Sequence, residues 1–240
     1  MTSHTALQRS PIFAGMDELD LRRLQASLAE ESCPARRQIM GPGESLERFR
    51  LIVSGRVKIV RSNSVDGREL TLWLLGPGDG FDVVSLLDGL PHTVSAWALG
   101  PVRMLSAPMA QWRGWLRALP PLDLAVHRYS AAKLRELADL AADLALHDTS
   151  TRLANLLLRH FDGRQNNLLH DLPQSELAAM IGSVRVVVSR ILAQMRAEGV
   201  VQLHDGAIRA VDLRRLLARA EAHLGEQRPA VQRKAIKQHG

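Results

Sequence analysis

Between Leu122 and His147 the chain carries neither glycine nor proline, and this stretch restricts the possible folds more than any other feature. An unbroken run of about 25 residues makes a helix about 38 Å long at about 1.5 Å per residue, longer than a small core covers by itself. Leu137, Leu140 and Leu144 recur at spacings of three and four, flanked by Leu134 and Ala141. Ala131, Ala132, Ala138, Ala141 and Ala145 keep the surface slim enough for a second helix to approach. The pattern predicts helix-against-helix packing and a homodimer; a helix packed only on its own domain is the plainer alternative.

Regions of different texture flank this helix. From Pro42 to about Pro108, glycines punctuate short apolar runs at Leu51–Val53, Val57–Val60, Leu70–Leu75, Thr93–Leu99 and Val102–Leu105. Short strands with turn signals roughly every eight to twelve residues predict a β-sandwich or small barrel. Asp66-Gly67 reads as a two-residue hairpin turn in which both residues take positive φ. Ahead of the strands, Met16 to Ala29 reads as an amphipathic helix capped by Asp17, with Leu21, Leu24 and Leu28 on one face.

Downstream, a helix over Arg152–Phe161 is followed by a polar loop, Asp162–Asn167. Then Gln174 to Ile181, a break at Gly182-Ser183, and a second helix from Arg185 to Glu198 give the spacing of a helix-turn-helix, with Ala178 small where the two helices cross. Val200–Leu203, a turn at Asp205-Gly206 and Ala207–Val211 predict a hairpin wing, and Leu213–Leu224 a closing helix. The tail from Gly225, with Arg228, Arg233, Lys234 and Lys237, reads as basic and disordered.

Charge agrees with this division. The net charge is +6, and residues 185–219 hold seven arginines against three acids, a mild pointer to phosphate contact. No apolar run reaches the length of a membrane span, and MTSHTALQRSPIF lacks the apolar core of a secretory signal. Cys33 is the only cysteine, so an intrachain disulfide is excluded, and a structural zinc or iron–sulfur cluster cannot rest on it alone. A reduced cytoplasmic protein with no membrane partner is expected. No Walker loop, HExxH or GxSxG is present, and no enzyme is expected.

The order and spacing of several short motifs then carry a resemblance. They are Leu51-Ile-Val-Ser-Gly-Arg-Val-Lys-Ile, Gly78-Asp-Gly-Phe81, Glu176-Leu-Ala with Gly182 and Ser189-Arg-Ile-Leu, and Glu198-Gly-Val-Val followed by Gly206 and Asp212. Over residues from about 10 to 220 the chain resembles the CRP/FNR family of bacterial transcription factors. The resemblance implies an α+β fold: an N-terminal β-roll of the cyclic-nucleotide-binding, jelly-roll type, a long dimerisation helix and a C-terminal winged helix-turn-helix. The expected boundaries are 1–120 for the sensor, 121–148 for the dimerisation helix, 149–224 for the DNA-binding domain and 225–240 for the tail. The partners implied are double-stranded DNA, a second copy of the chain and RNA polymerase, the last through Asp162–Asn167, and an activator role goes with them.

A recognition helix reads bases from its first turns. Arg185, Ser189 and Arg190 resemble family positions that meet bases or phosphates, and an intradomain ion pair is the plainer role for Arg190. Gln174 and Ser175, opening the preceding helix, are candidates for phosphate contact. Val186 stands where many members carry a glutamate that accepts from cytosine, so a different base preference is expected there. Pro173 and Val184 stand where the family often has a capping Ser or Thr, and Ser183 is the candidate cap one residue early.

In cyclic-AMP-binding members a glutamate takes the ribose and an Arg-Ser or Arg-Thr pair the phosphate. Here Val83 stands for the glutamate, or Asp82 with a slip of one residue, and His92-Thr93 stands for the pair. A mostly neutral imidazole replaces a fixed bidentate cation poorly. Leu137 and Ala138 replace polar groups that would face adenine. Cyclic AMP is not the expected ligand, and the effector is otherwise unknown. His92, His127 and Cys33 are chemically able haem ligands, so a haem-dependent gas sensor of the same family is an alternative, as is a ligand-binding protein with a weak DNA-binding module.

Overall fold

The protein is described by a computed structural model over residues 3–44, 47–161, 168–205 and 207–217. Helices α1 (Ser3–Arg9) and α2 (Glu18–Ala26) precede the strands. The Asp17 carboxylate accepts from the Asp20 amide at 2.8 Å and opens α2 as expected. The helix stops at Ala26 rather than Ala29, because Ala29 begins β1 (Ala29–Cys33). Then come β2 (Gln38–Met40), β3 (Arg48–Ser54), β4 (Val57–Ser62), β5 (Glu69–Leu75), β6 (Gly80–Phe81), α3 (Val83–Asp88), β7 (Ser95–Ala98) and β8 (Val102–Pro108).

The strands form two antiparallel four-stranded sheets, β1-β8-β3-β6 and β2-β7-β4-β5. Alternation along β3 feeds two cores at once. Ile52 joins Met40, Ile59, Phe81 and Met104 in one apolar cluster. Phe49, Leu51 and Val53 join another that includes α1, α2 and the next helices, α4 (Met109–Ala118) and α5 (Pro120–Leu146). Fully buried Trp112 of α4 anchors the second cluster, its ring edge-on to Phe49 with centroids 4.7 Å apart.

The two-residue turn at Asp66-Gly67 is not formed. Ser62 pairs with Glu69, so residues 63–68 make the connection. Of the expected pair only Gly67 has positive φ. The Asn63 and Asp66 side chains accept from the Val65 and Arg68 amides, and these local bonds stabilise a longer loop in place of the tight turn.

α5 is the breaker-free helix, and which leucines it offers outward differs from expectation. Leu140 is buried and Leu137 and Leu144 half-buried against the chain's own domains. The outward stripe is Leu124, Ala138 and Ala145 with Leu134 and Ala141. These recur at the seven-residue repeat of a coiled-coil seam, the leucines being 50% and 68% exposed.

The C-terminal part contains α6 (Thr149–His160), α7 (Gln174–Met180), α8 (Arg185–Ala197) and the hairpin of β9 (Val201–His204) and β10 (Ala207–Val211). Residues 213–217 are helical; the rest of the expected closing helix, the loop 162–167 and the tail 225–240 lie outside the described residues. Ser183 does not cap α8. Val184 holds that position without a side-chain bond, and the Ser183 amide donates instead to the Ala178 carbonyl at 2.8 Å, closing the turn. Gly182 in that turn has φ of +60°, and a Cβ there would sit 2.7 Å from Leu144 Cδ2.

The β-roll and the helix-turn-helix region pack on each other. Leu74 of β5 shares an apolar cluster with Leu153, Leu157, Leu177 and Met180. Arg56 donates to the Leu168 and His170 carbonyls at 2.9 and 2.6 Å, and Lys58 pairs with Glu176 of α7 at 3.0 Å.

Candidate nucleic-acid interface and sensor cavity

α8 owes its orientation to its apolar positions. Val188, Ile191, Leu192 and Met195 are buried, which leaves Arg185, Val186, Ser189 and Arg190 exposed on the opposite side of its first turns. Val186 is 78% exposed, an apolar side chain held in water at the helix start. Neither Arg185 nor Arg190 has a hydrogen-bond or ion-pair partner among the described residues, so the intradomain pair considered for Arg190 is not formed. Arg185 and Ser189 line a cleft of about 540 Å³ together with Gln174, Ser175 and Asp205 of the wing turn. Ser175 is exposed and Gln174 half-buried. All six expected DNA-facing residues therefore lie on α8 or at the start of α7, with the wing beside them. Exposed guanidinium forks are chemically able to meet base edges or phosphates, while Val186 offers only an apolar surface.

The second concavity lies in the β-roll. A cavity of about 490 Å³ opens between β4, β5, α3, the segment 88–94 and α5. Asp82, Val83, His92, Thr93 and Leu137 all line it. Ala138 does not: one helical residue, about 100° round from Leu137, turns it outward onto the exposed seam. Asp82 precedes α3 in the left-handed conformation, with φ of 69°. Its carboxyl is pushed above the ordinary range by burial, with Ser85 and His92 pulling it back. His92 Nδ1 lies 3.5 Å from Asp82 Oδ2, and its Nε2 lies 2.6 Å from the Gly41 carbonyl oxygen. Of the three haem candidates only His92 lines the cavity. His127 stands exposed on α5 and Cys33 ends β1, so the structure does not bring them together. Among the described residues no group of three or more His, Cys, Asp or Glu is placed to hold a metal.

Two elements of the site escaped sequence reasoning. Tyr129, the only tyrosine, donates its hydroxyl to the Gly80 carbonyl at 2.8 Å, tying α5 to the cavity wall; burial pushes its hydroxyl pKa well up. Buried Asp143, near the end of α5, accepts from Asn155 and Arg159 of α6 at 2.8 Å each and from His147 at 3.0 Å. A lone tyrosine in a leucine-rich helix was the available signal for the first. The second needs the fold, since its partners lie up to 16 residues away.

A glycine-broken helix pair with a wing, joined by one long helix to a β-roll, defines a winged-helix type of DNA-binding regulator. Comparison with known proteins makes this specific. The cyclic nucleotide-binding domain family matches residues 30–118 and the Crp-like helix-turn-helix domain family residues 151–219. The CRP-like cAMP-activated global transcriptional regulator of Mycobacterium tuberculosis is 32% identical over 220 residues, covering 89% of this chain and 98% of the relative. The cyclic AMP receptor protein of Thermus thermophilus is 32% identical over 204 residues, covering 84% and 93%. Among solved structures, the c-di-GMP responsive regulator CLP of Xanthomonas campestris shares the fold with a TM-score of 0.69 at 18% identity, covering 82% of this chain and all of that one. The chain belongs to the CRP/FNR family of transcriptional regulators. Among the described residues no helix is long and apolar enough to cross a membrane.

Proposed function

We propose that the protein is a homodimeric, sequence-specific DNA-binding regulator whose β-roll answers to a signal other than cyclic AMP. The observation that carries the first part is the unpartnered set Arg185, Val186, Ser189 and Arg190 on the outward side of α8. The exposed heptad stripe of α5 supports the dimer: two copies joined along it present two α8 helices for successive major grooves, about 34 Å apart. The working division is sensor 1–120, helix 121–148, DNA-binding domain 149–224 and basic tail 225–240. Selection from randomised duplexes tests the reading. An inverted repeat with half-sites one turn apart is expected, and without the cytosine-directed preference of members that carry glutamate at the position of Val186.

Both relatives described above are named for cyclic AMP, as are others among the similar proteins. Against cyclic AMP here stand Val83, which has no acceptor for a ribose hydroxyl, and His92, which replaces an arginine fork. Titration calorimetry with cyclic AMP is expected to show no micromolar binding. The segment 162–167 is the proposed contact with RNA polymerase. Its deletion is expected to abolish activation in a reconstituted transcription assay while DNA binding persists; unchanged activation removes that assignment.

A further inference from the structure

The sensor cavity carries a clue to ligand chemistry beyond the exclusion of cyclic AMP. Its volume of about 490 Å³ lies in the ordinary range of small-molecule sites. Its wall is largely apolar, with Met40, Ile59, Phe81 and Leu137 inside, and the exposed Val84, Leu90 and Leu134 continue that surface outward. Among the polar side chains that interrupt it, His92 and Asp82 are only 4% and 2% exposed. A carbonyl oxygen can only accept, so the His92 Nε2 facing Gly41 carries the proton, and in the neutral ring Nδ1 is a bare acceptor. At 3.5 Å, Nδ1 and Asp82 Oδ2 are too far apart for a good mutual hydrogen bond, and both are buried with no hydrogen-bond partner. Buried polar atoms in that condition are costly and gain from a group that serves both.

Resting on the reading that the signal is not cyclic AMP, we infer that this cavity takes an uncharged, mainly apolar small molecule bearing a hydroxyl that bridges His92 Nδ1 and Asp82 Oδ2. A hydroxyl fits either protonation arrangement of the pair. It donates to bare Nδ1 and accepts from the Asp82 acid, or, with the pair ionised, accepts from the ring N–H and donates to the carboxylate. Burial of Asp82 favours the first arrangement. An ether cannot donate. Of the two cations that line the cavity, Lys133 is already held by Glu136 at 3.1 Å and Arg61 is exposed, so a carboxylate or phosphate finds no free buried cation beside the pair.

The test uses the full-length protein with four probes: 4-tert-butylcyclohexanol, its methyl ether, 4-tert-butylcyclohexanecarboxylate and cyclic AMP. Calorimetry and tryptophan fluorescence, to which the cavity residue Trp73 contributes, read binding. The alcohol is expected to saturate at one per chain and to bind about tenfold tighter than the ether or the carboxylate. In His92→Phe the preference for alcohol over ether is expected to shrink to about twofold or less. Equal or tighter binding of the ether or carboxylate overturns the inference, as does a preference untouched by His92→Phe. Failure of all four probes to bind overturns it alone and leaves the wider reading standing. Micromolar binding of cyclic AMP overturns the reading beneath it. The comparison of alcohol with ether on the unaltered protein needs no variant, so it holds even if His92→Phe does not fold.

Discussion

Replacing Asp143 with alanine tests how the long helix is fixed to the DNA-binding domain. The carboxylate is 7% exposed and receives three side-chain donors, from Asn155, Arg159 and His147. Breaking a buried ion pair from one side typically costs about 3–5 kcal/mol, since the other partner keeps its desolvation penalty. Arg159 is 32% and His147 24% exposed, so water replaces part of what they lose. The lower end, about 3 kcal/mol, is the reasonable figure for Asp143→Ala. For a chain of this size about 2–4 °C of melting temperature accompanies each kcal/mol, which gives a fall of about 6–12 °C. Asp143→Asn keeps one acceptor for Asn155 and is expected to lose about half as much. Thermal unfolding by circular dichroism measures both, with exposed Asp139→Ala on the same helix as control. A drop for Asp143→Ala no larger than that of the control would refute the argument that this carboxylate joins α5 to α6.

Three further outcomes are expected. Arg190→Ala should weaken binding to the selected operator about 5- to 150-fold, from about 1–3 kcal/mol for a good base contact, and reduce affinity far less on random DNA; equal losses on both would reassign it to phosphate contact. Ala138→Glu, on the outward stripe of α5, should shift sedimentation from dimer towards monomer, since like charges would meet across the seam; an unchanged dimer would place the interface elsewhere. Burial raises the folded-state pKa of Asp82, so its contribution to stability is complete below the unfolded value of about 3.9 and is lost as pH rises through the folded value. Asp82→Asn should therefore flatten the decline of melting temperature above about pH 4, and an unaltered profile would show that Asp82 does not titrate as described.

What could be read without a structure depended on how local the cause was. Asp17 caps α2 through an amide three residues on, and the break at Gly182 follows from a left-handed turn that glycine alone adopts cheaply. The same locality misled at Asp66-Gly67, where two side-chain-to-amide bonds outcompete the tight turn that the dipeptide usually makes. On α5 the spacing of Leu137, Leu140 and Leu144 marked a true apolar face, but periodicity does not say whose surface covers it. Leu140 is buried facing a cavity that β5 and α6 also line, and the turn before α8 meets Leu144, which leaves the small-residue stripe facing out. Asp82, Val83, His92 and Thr93 do line the cavity, whereas Ala138 lies one helical step from Leu137 on the exposed side of α5. Lys58 with Glu176 and Asp143 with Arg159 join residues 118 and 16 positions apart, and no pattern in the chain announces them.

A third of the way along α5 the Tyr129 hydroxyl is bonded to Gly80 in the wall of the cavity; near its C-terminal end, Leu144 lies against Gly182. These two footholds are about 22 Å apart along a single rod of about 1.5 Å rise per residue. Glycine offers no side chain to cushion the far contact. A slide or roll of the rod at the first foothold would therefore be felt at the bend that precedes Arg185.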